Sequence, residues 1–469
     1  MSKFQNDLTT GNVAGQLIKF SIPFLISNLL QALYSVADMV IVGNATGPIG
    51  VADVQMGSQV TMLLTNIVIG LGAGATVLVA QYQGANRPED QKKTISTVFT
   101  MYFILGLVCT VIMLLINKPI LNILCAEEVS EGAIAYLNVC SLGYIFIFGY
   151  NAVSGILRGM GDSKRPLYFV AIAAITNIVL DIILVSKSFG IEMGAAGAAW
   201  ATISSQAISF ILSAIYLKFS GFVFDFKPKS FKIDFSKLKL ICKVGLPSAV
   251  QFSITGFSFL TLTGLSSQLD PEVGNALLGI GSKLNSFGIL PCVAMCSSIS
   301  SMAGQNIGAG EYKRAKKCMW VGLAIALGVS LVAFAIINIF PEQVINIFMD
   351  GDNLSGTELE NYKKCMEIGS TYIRLCSIDY VLACFFFACN GLAMGSGHTV
   401  FALINTAIMA LGFRLPLAYL FSLGLGWGVN GVAAALGLAP IVPGIIGILY
   451  VQSGRWKKSR LGITANIEG

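Results

Sequence analysis

Long apolar runs recur along the whole chain and are separated by short polar segments. Hydrophobic residues make up 55% of the 469 residues and charged residues only 12%, whereas a soluble domain carries about a quarter charged residues. So little charge cannot cover the surface of a soluble protein of this length. Runs of about 20 apolar residues are long enough to cross a bilayer as helices. The sequence therefore predicts an all-α polytopic protein that crosses the cell membrane many times.

Twelve of these runs are predicted to be transmembrane helices. They cover residues 14–43, 53–80, 94–116, 133–157, 166–186, 194–217, 239–268, 277–304, 315–339, 369–394, 399–422 and 428–452. Cytoplasmic loops are enriched in Lys and Arg, so the basic residues indicate the orientation. With the N-terminus inside, the outside segments hold only Lys118, Lys187, Lys363 and Lys364 of the 30 basic residues. Both termini are therefore predicted to be cytoplasmic.

The first half of the chain is repeated in the second half. Phe20-Ser21-Ile22-Pro23 aligns with Val244-Gly245-Leu246-Pro247, an offset of 224 residues. At the same offset, Gln81-Tyr82-Gln83-Gly84-Ala85 aligns with Gln305-Asn306-Ile307-Gly308-Ala309. Each repeat holds six predicted spans, and an even number returns the chain to the side where it started. Two six-helix lobes related by a pseudo-two-fold axis along the membrane normal are expected, an arrangement suited to alternating access.

The repeat also predicts the domain boundaries. Residues 1–217 are expected to form the N-lobe with helices 1–6, and residues 239–455 the C-lobe with helices 7–12. Residues 218–238 are polar, basic and interrupted by Pro228, which indicates a cytoplasmic linker between the lobes. Residues 456–469 are expected to form a cytoplasmic tail.

Three acidic residues lie inside predicted spans: Asp38, Asp181 and Asp379. A charged side chain at the centre of a bilayer costs at least about 2.5–3.5 kcal/mol, so each acid is a functional candidate. Asp38 follows Gln31 and Tyr34 at spacing i, i+3 and i+7, which places the three side chains on one helix face. Gln31 and Tyr34 are therefore candidates for the lining of a polar cavity.

Asp181 in span five is preceded by Asn177, one helical turn earlier. An amide and a carboxylate on one face can offer oxygen to a small hard cation, or they can hold a proton on the acid through a hydrogen bond. Span six adds Thr202 and Gln206, and span four adds Asn151. These polar residues either line a pocket with the two carboxylates or link neighbouring helices by hydrogen bonds.

Two carboxylates close together in a medium of low dielectric resist being ionised at the same time. Such a pair can exchange a proton near neutral pH, bind Na⁺ or pair with an organic cation. These three occupants exclude one another electrostatically, and this exclusion is itself an antiport mechanism. Asp38 and Asp181 are therefore the predicted centre of ion coupling.

The second lobe lacks a counterpart of Asp38, because the matching position is Leu262. Span seven offers Gln251 and Thr255, which are polar but neutral candidates for the cavity. The sequence therefore predicts that only the first lobe keeps its buried acids and that ion coupling is located there.

Two charged residues of the second lobe, Asp379 and Lys283, are further candidates for the cavity, and a third, Arg414, also lies in a predicted span. Asp379 is expected near the outer end of span ten, where it is solvated or paired. Lys283 in span eight is interpreted either as a buried counter-charge or as a lysine that reaches the membrane interface. Arg414 in span eleven is open to the same two interpretations.

Two prolines occupy the same place in each repeat, Pro23 in span one and Pro247 in span seven. A proline inside a helix removes one hydrogen bond and clashes with the preceding turn, so both are predicted helix bends. A bend that responds to protonation of Asp38 on the same helix and a static kink both fit the sequence.

Several functional classes are not expected. No GxxxxGK[ST] loop occurs, so ATP is not expected to drive the protein directly. The single His398 and the eleven scattered cysteines form no metal-binding motif, so no cofactor is expected. The net charge of +6 comes from basic residues in short loops, so no nucleic-acid partner is expected. An enzyme would need clustered His, Asp or Glu at a membrane face, which the sequence lacks.

Short motifs in a fixed order resemble those of the multidrug and toxic compound extrusion (MATE) family of antiporters, over about residues 10–455. They are Ile22-Pro23, Leu33-Tyr34-Ser35-Val36-Ala37-Asp38, Val42-Gly43, Gln83-Gly84-Ala85, Leu157-Arg158-Gly159-Met160-Gly161-Asp162, Asn177-Ile178-Val179-Leu180-Asp181 and Gly194-Ala195-Ala196-Gly197-Ala198-Ala199. In the DinF-like branch of that family, N-lobe acids of spans one and five form the cation site. The resemblance implies this role for Asp38 and Asp181, with help from Asn177 and Thr202, and any Na⁺ would bind at these four residues.

The NorM-like branch relies instead on second-lobe acids in spans seven and ten. Span seven of this chain has no acid, and the span-ten acid of that branch would fall near Ala383, one turn from Asp379. The chain therefore resembles the DinF-like branch more closely.

The function implied by the resemblance is secondary active export of small organic cations and other xenobiotics in exchange for H⁺ or Na⁺, by a monomer in the lipid bilayer. The alternative is a flippase for lipid-linked precursors from the same superfamily. Such a flippase handles pyrophosphate anions and should have a cationic cavity, whereas Lys283, Arg374 and Arg414 are dispersed along the sequence.

Overall fold

The computed structural model describes residues 4–124, 130–186, 191–270, 273–349, 357–458 and 460–463. Lys187 and residues 464–469 of the predicted tail lie outside this part of the chain. All regular elements among the described residues are helical.

Six helices form the first half of the fold. They are α1 (Val13–Gly84), α2 (Pro88–Leu124), α3 (Glu131–Leu142), α4 (Tyr144–Gly159), α5 (Lys164–Leu184) and α6 (Gly194–Phe219). Nine helices follow in the described part of the second half. They are α7 (Phe235–Leu269), α8 (Val273–Gly308), α9 (Tyr312–Ile339), α10 (Pro341–Asn346), α11 (Thr357–Gly395), α12 (Thr399–Ala407), α13 (Leu415–Tyr419), α14 (Val429–Leu438) and α15 (Ile441–Gln452). Two π-helical segments, Ile408–Arg414 and Leu420–Gly424, continue α12 and α13 into a single span.

Helix α1 is too long for one membrane crossing. Its 72 residues would extend about 108 Å, whereas the hydrocarbon core is about 30 Å thick. Helical geometry breaks at Gly47, whose φ of 72° favours glycine, and Pro48 follows. We therefore divide α1 into a first arm (residues 13–46) and a second arm (residues 48–84), each of which is one span.

The division of α1 accounts for the number of spans. Ten helices among the described residues are long and apolar enough to cross a membrane, and α3 and α4, which meet at a bend of 52°, together count as one more span. Because α1 counts twice, the total is twelve. The predicted all-α membrane fold with twelve helices in two lobes is confirmed.

Two differences between the structure and the predicted spans bear on the candidate sites. Span four is bent at Gly143, where a Cβ atom would clash with Ile203 of α6, so glycine allows α6 to pack directly against the bend. Helix α11 begins at Thr357 rather than at residue 369. Pro23 and Pro247 lie inside continuous helices, and the non-helical residue inside α1 is Gly47. A role of the two prolines as bends during transport stays a prediction.

Each lobe packs the first residues of the other lobe into its own core. Ile241 and Val244 of α7 belong to the apolar cluster of the N-lobe, and Leu17 and Phe20 of α1 belong to a cluster of the C-lobe. At the repeat offset of 224, Leu17 aligns with Ile241 and Phe20 aligns with Val244. The exchange therefore obeys the pseudo-two-fold symmetry, and the two lobes share their cores near one end of the bundle.

That end of the bundle, which we call the linker face, carries three extended segments. They are the N-terminal segment (residues 4–12), the linker between α6 and α7 (residues 220–234) and the C-terminal segment (residues 455–458 and 460–463). The last two each include one short 3-10 helix, Pro228–Ser230 and Arg455–Lys457. Leu461 and Ile463 of the C-terminal segment are buried in the N-lobe cluster. The beginning of the predicted tail is thus packed against the opposite lobe.

Two equivalent glutamines join the lobes at the linker face. Gln81 of α1 donates from Nε2 to the carbonyl oxygen of Gly395 at 2.8 Å. Gln305 of α8 donates from Nε2 to the carbonyl oxygen of Gly159 at 3.2 Å. Both glutamines are buried, and each belongs to one copy of the repeated Gln-x-x-Gly motif. The two hydrogen bonds therefore form a reciprocal connection between the lobes.

The glycines of the same motifs let the two backbones touch. A Cβ atom at Gly84 would clash with the backbone carbonyl of Gln305, and a Cβ atom at Gly308 would clash with that of Gln81. We call Gln81, Gly84, Gln305 and Gly308 the glutamine latch. Because backbones meet at this point, the linker face is closed in this structure.

In each lobe, the start of the third span binds the stretch of chain that leads into the first helix of the other lobe. Arg314 of α9 donates to the carbonyl oxygens of Thr10 and Gly11, both at 2.7 Å. The matching residue Asp90 of α2 forms an ion pair with Lys237 of α7 at 2.6 Å. The closed linker face is thus stabilised on both sides of the latch.

Candidate cation-binding site

Asp38 and Asp181 meet inside the N-lobe. Asp38 comes from the first arm of α1 and Asp181 from α5, which pack against each other. The two carboxyl groups are close enough to share a hydrogen bond, and both are buried, Asp181 completely. The structure therefore brings together the two acids that the sequence singles out.

The carboxyl pair lacks partners that donate hydrogen bonds. Among the described residues, no donor reaches Oδ1 of Asp38 or either carboxyl oxygen of Asp181. Two ionised carboxylates can only accept, so a hydrogen bond between them requires a proton on one. Buried charges without partners are strongly unfavourable. The pair can therefore be stabilised by a proton, by a metal cation or by a cationic ligand.

Asn177 extends this group of oxygen atoms. It lies one turn before Asp181 on α5, it is 1% exposed, and both its Oδ1 and its Nδ2 lack a partner among the described residues. Carboxylate and amide oxygens are the ligands of small hard cations, so the three side chains fit Na⁺ as well as H⁺. No group of three or more His, Cys, Asp or Glu suited to another metal occurs in the described part of the chain.

Two tyrosines and a cysteine lie near Asp38. Tyr34 of α1 and Tyr136 of α3 both lie within electrostatic range of its carboxyl group, as does Cys140 of α3. Tyrosine rings attract organic cations through their faces. The sequence predicted Tyr34 but missed Tyr136 and Cys140, because both lie in an apolar run whose facing side depends on the bend at Gly143.

The remaining N-lobe candidates are less directly connected. Asn151 donates to the backbone carbonyl of Ile147 at 2.8 Å, which is a local bond within α4. Thr202 and Gln206 are half-buried on α6, and Gln31 is exposed on α1. None of the described hydrogen bonds joins these residues to either carboxyl group, so their roles stay predictions.

The matching region of the C-lobe is apolar at its centre. Leu262, which aligns with Asp38, is fully buried in a hydrophobic cluster. Thr255 donates to the backbone carbonyl of Gln251 at 3.1 Å, and Gln251 presents a buried Oε1 without a partner among the described residues. No carboxyl pair like that of the N-lobe forms here among the described residues.

Asp379 corrects one prediction from the sequence. Its side chain is only 2% exposed, so of the two expected alternatives, solvated or paired, the solvated one is wrong. The second lobe therefore also keeps a buried acid, contrary to the prediction that only the first lobe does. Arg414 is buried and attracts Asp379 electrostatically, and its guanidinium lies 4.8 Å from the ring centre of Phe259. The C-lobe acid thus differs from the N-lobe pair because a buried cation lies within electrostatic range, although no ion pair or hydrogen bond among the described residues joins the two side chains.

The space beside Asp379 is small. A cavity of about 10 Å³ is lined by Asp379, Asn285 and Tyr372 among others, a volume that holds at most one water molecule. An organic cation does not fit there in this conformation. Lys283 is exposed and does not line the cavity, so its interpretation as a buried counter-charge is wrong.

We expect Asp379 and Arg414 to be energetically coupled. Changing Arg414→Gln removes the cation that faces a buried acid, so it should destabilise the protein more than the same change made in an Asp379→Asn background. Coupling energies between interacting residues are about 0.5–3 kcal/mol. Unfolding of the two single variants and the double variant in detergent measures this energy. Arg374→Gln, on the exposed side of α11, is the control, and strictly additive effects would contradict the coupling.

Comparison with known proteins identifies the family. The MatE family model matches residues 23–183 and 247–420, a range that includes Asp38, Asp181 and most of both lobes. The chain is a MATE family transporter. This membership confirms the resemblance seen in the sequence and excludes the enzyme alternative, whereas assignment to the DinF-like branch stays a prediction.

Relatives of this MATE protein match along nearly its full length. The probable multidrug resistance protein YpnP of Bacillus subtilis (strain 168) is 28% identical over 460 residues, which cover 97% of this chain and 98% of the relative. The probable multidrug resistance protein NorM of Thermotoga maritima is 27% identical and covers 94% of this chain and 93% of its own. A multidrug resistance MATE transporter solved in an outward-facing conformation is 26% identical, with a TM-score of 0.87 over 95% of this chain and 96% of that chain.

Proposed function

We propose that this MATE protein is a multidrug efflux antiporter of the cell membrane, which exports small organic cations in exchange for H⁺ or Na⁺. The observation that carries the proposal is the buried pair Asp38 and Asp181, in which three of the four carboxyl oxygens receive no hydrogen bond from the described residues. Such a pair needs a positive charge from outside the protein. The names of the relatives, which are probable multidrug resistance proteins, support the same substrate class.

Competition for the carboxyl pair couples the two fluxes. When H⁺ or Na⁺ neutralises Asp38 and Asp181, the electrostatic attraction for an organic cation is lost. When the coupling ion leaves, the pair regains negative charge and binds the substrate beside Tyr34 and Tyr136. Only one of these cations occupies the N-lobe site at a time, so each displaces the other.

Alternating access requires that the two ends of the bundle open in turn. The predicted orientation makes the linker face cytoplasmic, so the closed glutamine latch corresponds to a state that opens to the outside. Opening towards the cytoplasm requires Gln81 and Gln305 to leave Gly395 and Gly159. Pro23 and Pro247 remain candidates for the bends that accompany this change.

A flippase for lipid-linked precursors fits the site less well. The N-lobe site is acidic, whereas a pyrophosphate group needs cations. Arg414, a buried cation of the C-lobe, lies within electrostatic range of Asp379. The cavity beside Asp379 has a volume of about 10 Å³, which is far too small for such a headgroup.

Efflux from proteoliposomes tests the proposed function. Purified protein is reconstituted with a fluorescent organic cation, and a pH gradient or a Na⁺ gradient is then imposed separately. We expect at least one gradient to accelerate substrate movement in the opposite direction, with no requirement for ATP. The gradient that drives transport identifies the coupling ion. Substrate movement that is indifferent to both gradients would refute antiport.

A further inference from the structure

A second, much larger cavity lies at the linker face of the N-lobe. Its volume is about 650 Å³, and it lies between the N-terminal segment, the beginning of α1, the beginning of α5 and the end of α6. The residues that matter here are Lys19, Lys164, Arg165, Tyr168 and Tyr216, all of which line it. None of the residues of the carboxyl pair lines this cavity, so it is a separate site.

The cavity carries positive charge that the protein does not neutralise. Lys19 and Lys164 are exposed, and their ammonium groups form no ion pair with the described residues. Asp162, the nearest acid in sequence, is already in an ion pair with Arg165. It also accepts hydrogen bonds from the backbone N–H groups of Lys164 and Arg165. Two lysines are therefore left to attract an anion.

Asp7, the other acid of the cavity, is also held by its own partners. Burial opposes ionisation of this carboxyl, but hydrogen bonds from Thr9 and Thr10 and the charge of Arg314 lower its pKa below the usual value. Asp7 is thus ionised, with its charge directed towards Arg314 and the two threonines. Asp7 therefore does not neutralise Lys19 or Lys164, which remain able to bind an external anion.

The aromatic wall of the cavity indicates its depth in the membrane. Tyr168 is 60% exposed and Tyr216 is 43% exposed, and both lie near the linker-face ends of their helices. Tyrosine is enriched at the level of lipid headgroups. Ile18, on the outer side of α1 next to Lys19, is exposed as well. An amphiphile could therefore place its charge on the lysines and its chains along apolar surface.

We propose that this cavity binds the headgroup of an anionic phospholipid from the cytoplasmic leaflet. Lys19 and Lys164 pair with the phosphate, and the acyl chains lie against α1 and α5 near Ile18 and Tyr168. Basic pockets between helices on the cytoplasmic side are typical sites for such lipids. The proposal uses the orientation given above but not the coupling chemistry of the carboxyl pair.

The position of the lipid connects it with closure of the linker face. Asn6, which lines the cavity, donates from its backbone N–H to Met160 at 3.0 Å and from Nδ2 to Gly161 at 2.9 Å. Two residues later, the backbone N–H of Leu8 donates to Oε1 of Gln305 at 3.1 Å. The wall of the cavity thus joins the N-lobe to the glutamine latch, and a bound lipid stabilises the closed linker face.

Lipid binding to the purified full-length protein tests the proposal. Native mass spectrometry in detergent counts bound phosphatidylglycerol, with phosphatidylcholine as the zwitterionic reference. We expect the wild type to prefer phosphatidylglycerol, and the Lys19→Gln/Lys164→Gln variant to bind it at least about tenfold more weakly. A Lys19→Arg/Lys164→Arg variant should retain binding. Phosphatidylglycerol should also raise the melting temperature of the wild type but not that of the glutamine variant.

Controls separate this site from general surface charge and from the transport function. Lys316→Gln/Lys317→Gln removes two lysines near Arg314 that do not line the cavity, and it should leave lipid binding unchanged. Three outcomes would overturn the proposal. The two lipids could bind equally well, or the Lys19→Gln/Lys164→Gln variant could bind phosphatidylglycerol like the wild type. Soluble glycerophosphoglycerol could also compete as strongly as phosphatidylglycerol itself. Because lipid binding is measured without transport, failure of the lipid proposal leaves the proposed antiport function untouched. Failure of the antiport proposal likewise leaves the lipid proposal untouched.

Discussion

Efflux of a cationic dye is expected to fall to the level of protein-free vesicles when either Asp38 or Asp181 is changed to asparagine. Asparagine keeps the size of the side chain but neither takes up a proton nor carries a charge. A buried cation that loses one of its carboxylate partners is bound about 2–5 kcal/mol more weakly, which corresponds to at least about a thirtyfold loss of binding. The measurement is dye efflux from vesicles that contain equal amounts of each variant.

The matched control for this prediction is Asp225→Asn. Asp225 is an exposed acid of the linker, so its neutralisation should leave efflux near the wild-type rate. Both site variants should still fold, because the asparagine side chain can donate a hydrogen bond to the remaining carboxylate. Wild-type efflux by both Asp38→Asn and Asp181→Asn would show that the N-lobe pair is not the coupling site.

The second large effect is expected at the glutamine latch. Changing Gly84→Ala or Gly308→Ala adds a Cβ atom where the backbone of the opposite lobe touches. Alanine favours helix more than glycine does, so each lobe should fold, but the linker face should no longer close. We expect transport to fall at least about tenfold, since a barrier of 1.4 kcal/mol already has this effect. Because the linker face stays open, a cysteine at this face should react faster with a thiol-labelling reagent than in the wild type.

Gly328→Ala is the control for the latch variants. Gly328 also lies inside a helix, α9, but no heavy atom lies within 4 Å of the position where its Cβ would stand. This change should affect neither transport nor labelling. If Gly84→Ala and Gly308→Ala transport and label like the wild type, the latch does not control closure of this face.

The sequence predicted the fold well because the membrane imposes long apolar helices and because the repeat is visible. The offset of 224 residues even aligns Leu17 with Ile241 and Phe20 with Val244, residues whose exchange between lobes became clear only in three dimensions. The reciprocal hydrogen bonds that Gln81 and Gln305 make to the opposite lobe could not be predicted from the sequence either. A repeated motif shows that two segments are equivalent, but not that each contacts the other lobe.

The candidate site was only partly predictable. Asp38 and Asp181 stand out because acids are costly in an apolar run, but their contact depends on how α1 and α5 are rotated. Asp379 was misplaced because the polar start of α11 resembles a loop. With the helix beginning at Thr357, Asp379 lies well inside α11 rather than near its end, and Arg414 lies within electrostatic range of it.

The central claim is that substrate and coupling ion compete for the carboxyl pair. Equilibrium binding of a fluorescent organic cation to the purified protein, measured across pH and Na⁺ concentration, tests it most directly. Competition with a single proton predicts that the apparent Kd rises up to about tenfold for each unit of falling pH, and competition with Na⁺ predicts a proportional rise with salt. Asp38→Asn should abolish whichever dependence the wild type shows. Substrate binding that is independent of both ions, or an ion dependence that persists in both Asp38→Asn and Asp181→Asn, would contradict the account.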